Sequence, residues 1–178
     1  MSFKTADDIA KYLLSNAIPN KIRPGITFFG GEPLLRFEEI IKPLVLKYKD
    51  AFGWSITTNG TLLTEQIIDF CVEHDISILL SIDGGEVIQK AQRPFHNGES
   101  SFTKIKNILP YLVLKMPNTT FRSTLTKFSL DHMDEIIDVI TTYGFRYWTL
   151  IPNLFEEWDE SDFEKWESFI DKEAIKIM

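Results

Sequence analysis

An α/β fold, with a mostly parallel sheet of five strands and flanking helices, is predicted from two observations. Apolar, β-branched segments recur at residues 26–29, 54–58, 76–82, 119–125 and 145–151, and helix-spaced apolar residues lie between them. Each helix returns the chain to another buried strand, so the connections should be right-handed crossovers between parallel neighbours.

Taken in order, the chain opens on a helix with Thr5 and Asp8 spaced as a capping-box-like start and Ile9, Leu13 and Leu14 along one face. The strand at 26–29 follows. Phe37, Ile40, Ile41, Leu44, Val45 and Tyr48 then trace a core-facing stripe, which Pro43 should bend or interrupt. After the strand at 54–58, Thr64 is placed to cap a helix that turns Ile67, Ile68, Cys71 and Val72 inward, with Leu63 and Ile68 spaced as a hydrophobic staple. Cys71 is therefore expected to be buried and inert. Asp83 to Ser101 is the one long irregular stretch, carrying Gly84, Gly85, Pro94, Asn97 and Gly98; such a loop is either functional or a surface excursion. Phe102, Ile105, Ile108 and Leu109 form a third stripe. Asp131 should begin a fourth, with Met133, Ile136, Ile137 and Ile140, ending at Gly144. Finally, Ser161 and Glu164 form a capping box ahead of Phe163, Trp166, Ile170, Ala174 and Ile177, with a solvated acidic outer face.

The 178 residues, 44% of them hydrophobic, suffice for one domain of ordinary size. A net charge of -7 opposes general affinity for nucleic acid or an anionic membrane surface. No uninterrupted apolar stretch reaches the roughly 20 residues of a spanning helix, and the first residues lack a signal-peptide core. The expected location is cytoplasmic. One cysteine, Cys71, excludes an internal disulfide and any CxxC-type metal site made by this chain alone.

In parallel sheets of open or barrel-like form, ligands bind at the carboxyl ends of the strands. Polar residues gather at those ends here: Gly30, Gly31 and Glu32 after the first strand, Thr57 to Gly60 after the second, Ser81 to Gly84 after the third, and Arg122 to Thr124 in the fourth. Paired glycines let the backbone turn and approach a ligand closely. Glu32 can take an ammonium, Ser81 and Asp83 ribose hydroxyls, and Arg122 a carboxylate; together these describe an amino-acid nucleoside. Each residue also has a plain alternative. Glu32 can cap the next helix, Asp83 and Asn59 are common turn residues, Ser81 and Thr58 suit strands, and Arg122 can sit at an edge or in a structural ion pair.

The order of these motifs resembles the radical S-adenosylmethionine superfamily, within it the sulfatase-maturating and peptide-maturating branch with SPASM-type auxiliary domains. Ile26 to Leu35 is similar to the GGEP segment, Ile56 to Leu63 to the segment after the next strand, and Ser81 to Gly84, with Arg93-Pro94-Phe95, Asn97-Gly98 and Ser101-Phe102, to the following strand and its loop. The resemblance implies a partial (β/α)6 barrel that binds S-adenosylmethionine. Gly30, Gly31 and Glu32 would lie near its amino group, Ser81 and Asp83 near the ribose, Arg122 near the carboxylate, and Ile151 with Pro152 near the adenine, with Thr58 and Asn59 also counted among the cofactor-binding residues. The family uses a 4Fe-4S cluster to cleave this cofactor to a 5'-deoxyadenosyl radical that abstracts hydrogen from a substrate.

The chain departs from that pattern in lacking the CxxxCxxC loop and the strand before it; Gly85 replaces a usual Pro, and Gln89-Lys90 a frequent His-Asp. The implied protein is a single truncated core domain spanning 1–178, a fragment of an enzyme that modifies a peptide or protein, itself inactive and holding neither cofactor. The alternative is a non-catalytic module that binds a peptide or partner. An uncovered sheet edge in place of the missing strand would favour a homodimer.

Overall fold

All five strands pair in parallel, in chain order, in the computed structural model. It describes residues 1–17 and 23–177, with the backbone alone over 172–177. The elements are α1 (Phe3–Asn16), β1 (Gly25–Phe28), α2 (Lys42–Tyr48), β2 (Gly53–Thr58), α3 (Glu65–Glu73), β3 (Ile76–Ser81), α4 (Glu86–Gln92), α5 (Phe102–Ile105), α6 (Leu109–Lys115), β4 (Thr120–Leu125), α7 (Lys127–Leu130), α8 (Met133–Tyr143), β5 (Tyr147–Pro152) and α9 (Glu160–Ile177). This is the α/β architecture of a partial barrel, with β1 and β5 at its two edges.

Alternation along the strands gives the sheet two unlike faces. Trp54, Ile56, Ile78, Leu80, Phe121 and Leu125 point to the helices and are buried. Registers Thr27↔Ser55↔Ser77, Thr57↔Leu79↔Thr120 and Ser81↔Arg122↔Thr149 set mostly short hydroxyl side chains on the other, uncovered face. Thr27 and Ser55 share a hydrogen bond of 2.7 Å there. A strand's period of two thus separates a dry side from a wet one.

Several elements differ from the sequence expectation, each for a local reason. α1 is capped by Ser2, whose hydroxyl accepts from Thr5 N–H at 3.1 Å, rather than by Thr5. Its rotation is set by Asp7, which takes Lys11 at 2.7 Å, Lys47 of α2 at 2.5 Å and the Tyr48 hydroxyl at 2.8 Å. Ala6 and Ala10 therefore face the core while Ile9 is 47% exposed. At Pro43 the interruption is a π turn over Phe37–Ile41, closed by Lys42 N–H on Phe37 C=O. Pro43 has no N–H for the ordinary ladder, and α2 begins around it. The stripe after Ser101 divides into α5 and α6 ahead of Pro110.

Asp131 ends α7 instead of starting a helix; Thr126 caps α7, its hydroxyl accepting from Ser129 N–H, and α8 begins at Met133. Gly144 does end α8, with φ +75°. α9 is capped by Asp159, which accepts from the N–H groups of Ser161 and Asp162, while Asp162 accepts in return from Asp159 N–H. That displaces the Ser161–Glu164 box. Its apolar face also turns: Trp166 and Phe169 pack on the core, while Phe163 and Ile170 are exposed. Ala174 and Ile177 fall outside the described side chains. β5 lies at an edge and is not a buried strand, with Tyr147 and Trp148 exposed and Phe145 buried ahead of it.

Thr64 caps α3 as expected, and Leu63, Ile68 and Cys71 are buried, but Val72 turns outward and is 48% exposed. Among the described residues no helix is long and apolar enough to cross a membrane. Beside β1, Ile9, Ile26, Phe29, Leu35, Ile40 and Leu44 line an apolar groove of about 500 Å³.

Candidate functional site

The strand-end loops converge on a cavity of about 350 Å³. Gly30, Gly31, Thr58, Asn59, Ser81 and Arg122 all line it. Three further expected residues take other places. Ile151 is on the same uncovered face, in register with Thr124, beyond the lining residues. Glu32 and Asp83 are held behind the wall.

Glu32 is half-buried and ties the first loop to the second. Its Oε1 accepts from the Thr58 hydroxyl at 2.7 Å and Leu34 N–H at 3.1 Å, and its Oε2 from Asn59 N–H at 2.8 Å. It thus also caps the short 3-10 turn at Pro33–Arg36, as the plain alternative had it. Three donors on one carboxylate hold the glycine turn in shape. Gly30 has φ +111°, and a Cβ placed on Gly30 or Gly31 would meet no atom within 4 Å. Both therefore present bare backbone to open space, where a ligand can approach more closely than any side chain would permit.

Asp83 is 1% exposed. Arg93 grips it through Nε at 2.7 Å and Nη2 at 3.1 Å, and Thr124 N–H donates to its Oδ1 at 2.9 Å. The backbone of Asp83 is held as well, its N–H donating to the Gln89 side chain and its C=O accepting from the Ser123 hydroxyl, both at 2.8 Å. Gln89 donates onward to Ser101, whose hydroxyl donates to Arg93 C=O. A buried carboxylate needs this degree of pairing. What reaches the cavity from this network is Arg93 and Thr124.

Arg122 is the contrasting cation. It is exposed on the uncovered face, and no hydrogen bond or ion pair engages its guanidinium among the described residues. Beside Ser81 in the register, it offers a free planar fork to a carboxylate. The cavity therefore combines open backbone for an ammonium, hydroxyls and an amide for a sugar, and one unpaired guanidinium. These features fit an amino-acid nucleoside.

Thr57 and Thr124, from the polar clusters at the strand ends, also line the cavity, as do Phe29 and Arg93, to which the sequence reading gave no part in the site. The irregular stretch contains α4, whose seven residues return Arg93 to Asp83. The signal for Arg93 was Asp83 itself: a carboxylate at the end of a buried strand calls for a cation. Gly85 has a packing reason, since a Cβ there would lie 2.8 Å from the Glu135 carboxylate that accepts the N–H groups of Val87 and Ile88.

An iron–sulfur cluster does not fit the residues present. Cys71 is the chain's one cysteine, and it lies buried in α3 with its thiol pushed up to about 12 by burial. Among the described residues no group of three His, Cys, Asp or Glu side chains is placed to hold a metal.

A family model described as the radical SAM superfamily matches residues 1–140. An uncharacterized protein of Methanocaldococcus jannaschii is 32% identical over 88% of this chain and 59% of its own length. The cysteine-type anaerobic sulfatase-maturating enzyme of Clostridium novyi is 28% identical over 71% of this chain and 36% of its own. In fold, the chain is similar to anSMEcpe with bound AdoMet, with a TM-score of 0.79 and 22% identity, covering 99% of this chain and 53% of that one. The same protein with AdoMet and the Cp18Cys peptide gives a TM-score of 0.76. The chain thus spans 59% of the first of these relatives, 36% of the second and 53% of the solved chain, less than two thirds of each.

Proposed function

The chain belongs to the radical SAM superfamily, and from that premise we propose that it supplies the AdoMet-binding part of an enzyme that modifies a peptide or protein by 5'-deoxyadenosyl radical chemistry. AdoMet, when bound and given one electron from outside this chain, would lose methionine by breaking its sulfur–C5' bond and so supply a carbon radical able to abstract hydrogen from a substrate. The residues of this chain bind and orient it. Bare backbone at Gly30 and Gly31 receives the methionyl ammonium, with Glu32 holding the turn through Thr58 and Asn59. Arg122 takes the carboxylate, and Ser81 a ribose hydroxyl. Asp83 serves the site through Arg93, and Ile151 extends the uncovered face toward the adenine.

The observation that carries this reading is the convergence of six residues, from four strand ends, on one cavity with an unpaired guanidinium. The peptide class is supported by the sulfatase-maturating relative and by the fold's likeness to a peptide-bound protein. Reductive cleavage needs a cluster held by thiolates, and Cys71 cannot provide one. We therefore propose, in place of the sequence expectation that the chain holds neither cofactor, that this chain alone binds AdoMet through the lined cavity without cleaving it.

Calorimetric titration with AdoMet tests the site. Binding should weaken about tenfold to a hundredfold in Arg122→Gln, the range of a hydrogen bond to a charged group, with an unchanged melting temperature. Equal affinity in both proteins overturns the assignment. Release of 5'-deoxyadenosine by the chain, after incubation with iron, sulfide and a reductant, overturns the inactivity.

A further inference from the structure

Arg93 stands in the wall of two chambers. Behind the strand-end cavity, a second groove of about 430 Å³ lies between the turn at 59–62 and the segment at 93–104, sharing Asn59 and Arg93 with the first. Leu35, Leu62 and Phe95 give it apolar walls, while Arg93 and Lys104 reach it with cations.

The two cations differ in kind. Arg93 is fixed, its Nε and Nη2 engaged by the buried Asp83 carboxylate, and Nη1 takes no part in that fork. The ammonium of Lys104 has no hydrogen bond or ion pair among the described residues. Lys104 thus supplies an uncompensated charge on a flexible stem, and Arg93 a preset donor. Glu32, the one carboxylate in the lining, is occupied by the Thr58 hydroxyl and the N–H groups of Leu34 and Asn59. In a chain of net charge -7, this groove is suited to an anion flanked by apolar surface.

We propose that the outer groove is a substrate subsite for an acidic side chain of a peptide, held by Lys104 and Arg93, with Leu35, Leu62 and Phe95 covering its apolar neighbour. It rests on the peptide reading above and names which peptides fit. Shared walls would set such a peptide directly beside the nucleoside chamber. Asp83 is then a positioning residue that acts through Arg93.

Selection of a randomised peptide library on the immobilised chain tests the subsite. Glu and Asp should be enriched at one position by about fivefold, the scale of a partly exposed ion pair. Lys104→Glu should turn the preference toward Lys and Arg, and Asp83→Asn should flatten it, with circular dichroism confirming that both variants fold. A pool without acidic enrichment, or the same enrichment in Lys104→Glu, overturns the subsite. AdoMet titration on the same preparations separates the two readings. Binding of AdoMet without an acid preference sinks only the groove; an acid preference without AdoMet binding sinks only the nucleoside site.

Discussion

At the scale of single residues, the strand-end carboxylates act on the protein before they act on any ligand. Glu32 joins two loops and Asp83 joins three segments, while Arg122 stays unengaged. Sequence alone does not separate these cases, because an acid at a strand end reads alike whether its lone pairs face outward or inward. Their partners decide. Gly60 offers a sharper reading: its φ is +78°, and a Cβ would lie 2.7 Å from Leu80 Cδ1 and 3.4 Å from Ile105 Cγ2. Gly60→Ala should destabilise the fold by about 1–3 kcal/mol through the left-handed backbone and the crowded core. The melting temperature should fall by several degrees, on the order of 2–4 °C per kcal/mol. An unchanged melting temperature would refute this account of the turn.

Among elements, α1 and α9 are fastened by ion pairs as well as by apolar contacts. Lys11, then Lys47 and the Tyr48 hydroxyl, hold the Asp7 carboxyl well below the usual carboxylate range. The Ser161 hydroxyl and then Lys127 do the same for Asp159, while Lys165 lowers the Asp131 carboxyl. A carboxyl whose folded value is depressed stabilises fully above its unfolded value of about 4 and loses that contribution as pH falls through the folded one. Acidification below about pH 4 should therefore loosen the two terminal helices before the sheet. Melting curves recorded down the acid range should show a shallower loss in a combined Asp7→Asn, Asp159→Asn variant than in the natural chain; parallel curves would refute it. The longer helices were legible from periodicity, whereas the short α4 and α7 were not, each being too brief to repeat an apolar stripe. The caps and rotations at both ends were not, because Asp7 and Asp162 are acids that face inward toward lysines distant in sequence.

Over the whole molecule, strand number, order and direction were readable because alternating helices and β-branched runs leave few ways to bury both. That the glycine turn, Asn59, Ser81 and Arg122 line one cavity was readable because the topology sends every strand end to one rim. Arg93 was hidden by the short helix α4, which shortens the path back to Asp83. The two unlike faces of the sheet carry one more implication. Thr27, Ser55, Thr57, Ser77, Thr120 and Thr149 line the uncovered face with hydroxyls that both donate and accept hydrogen bonds. Solvent resting on such a trough is organised by polar contacts, and whatever lies down there trades those contacts rather than shedding a hydrocarbon hydration shell. The heat capacity of that association should accordingly be only slightly negative, the reverse of greasy docking.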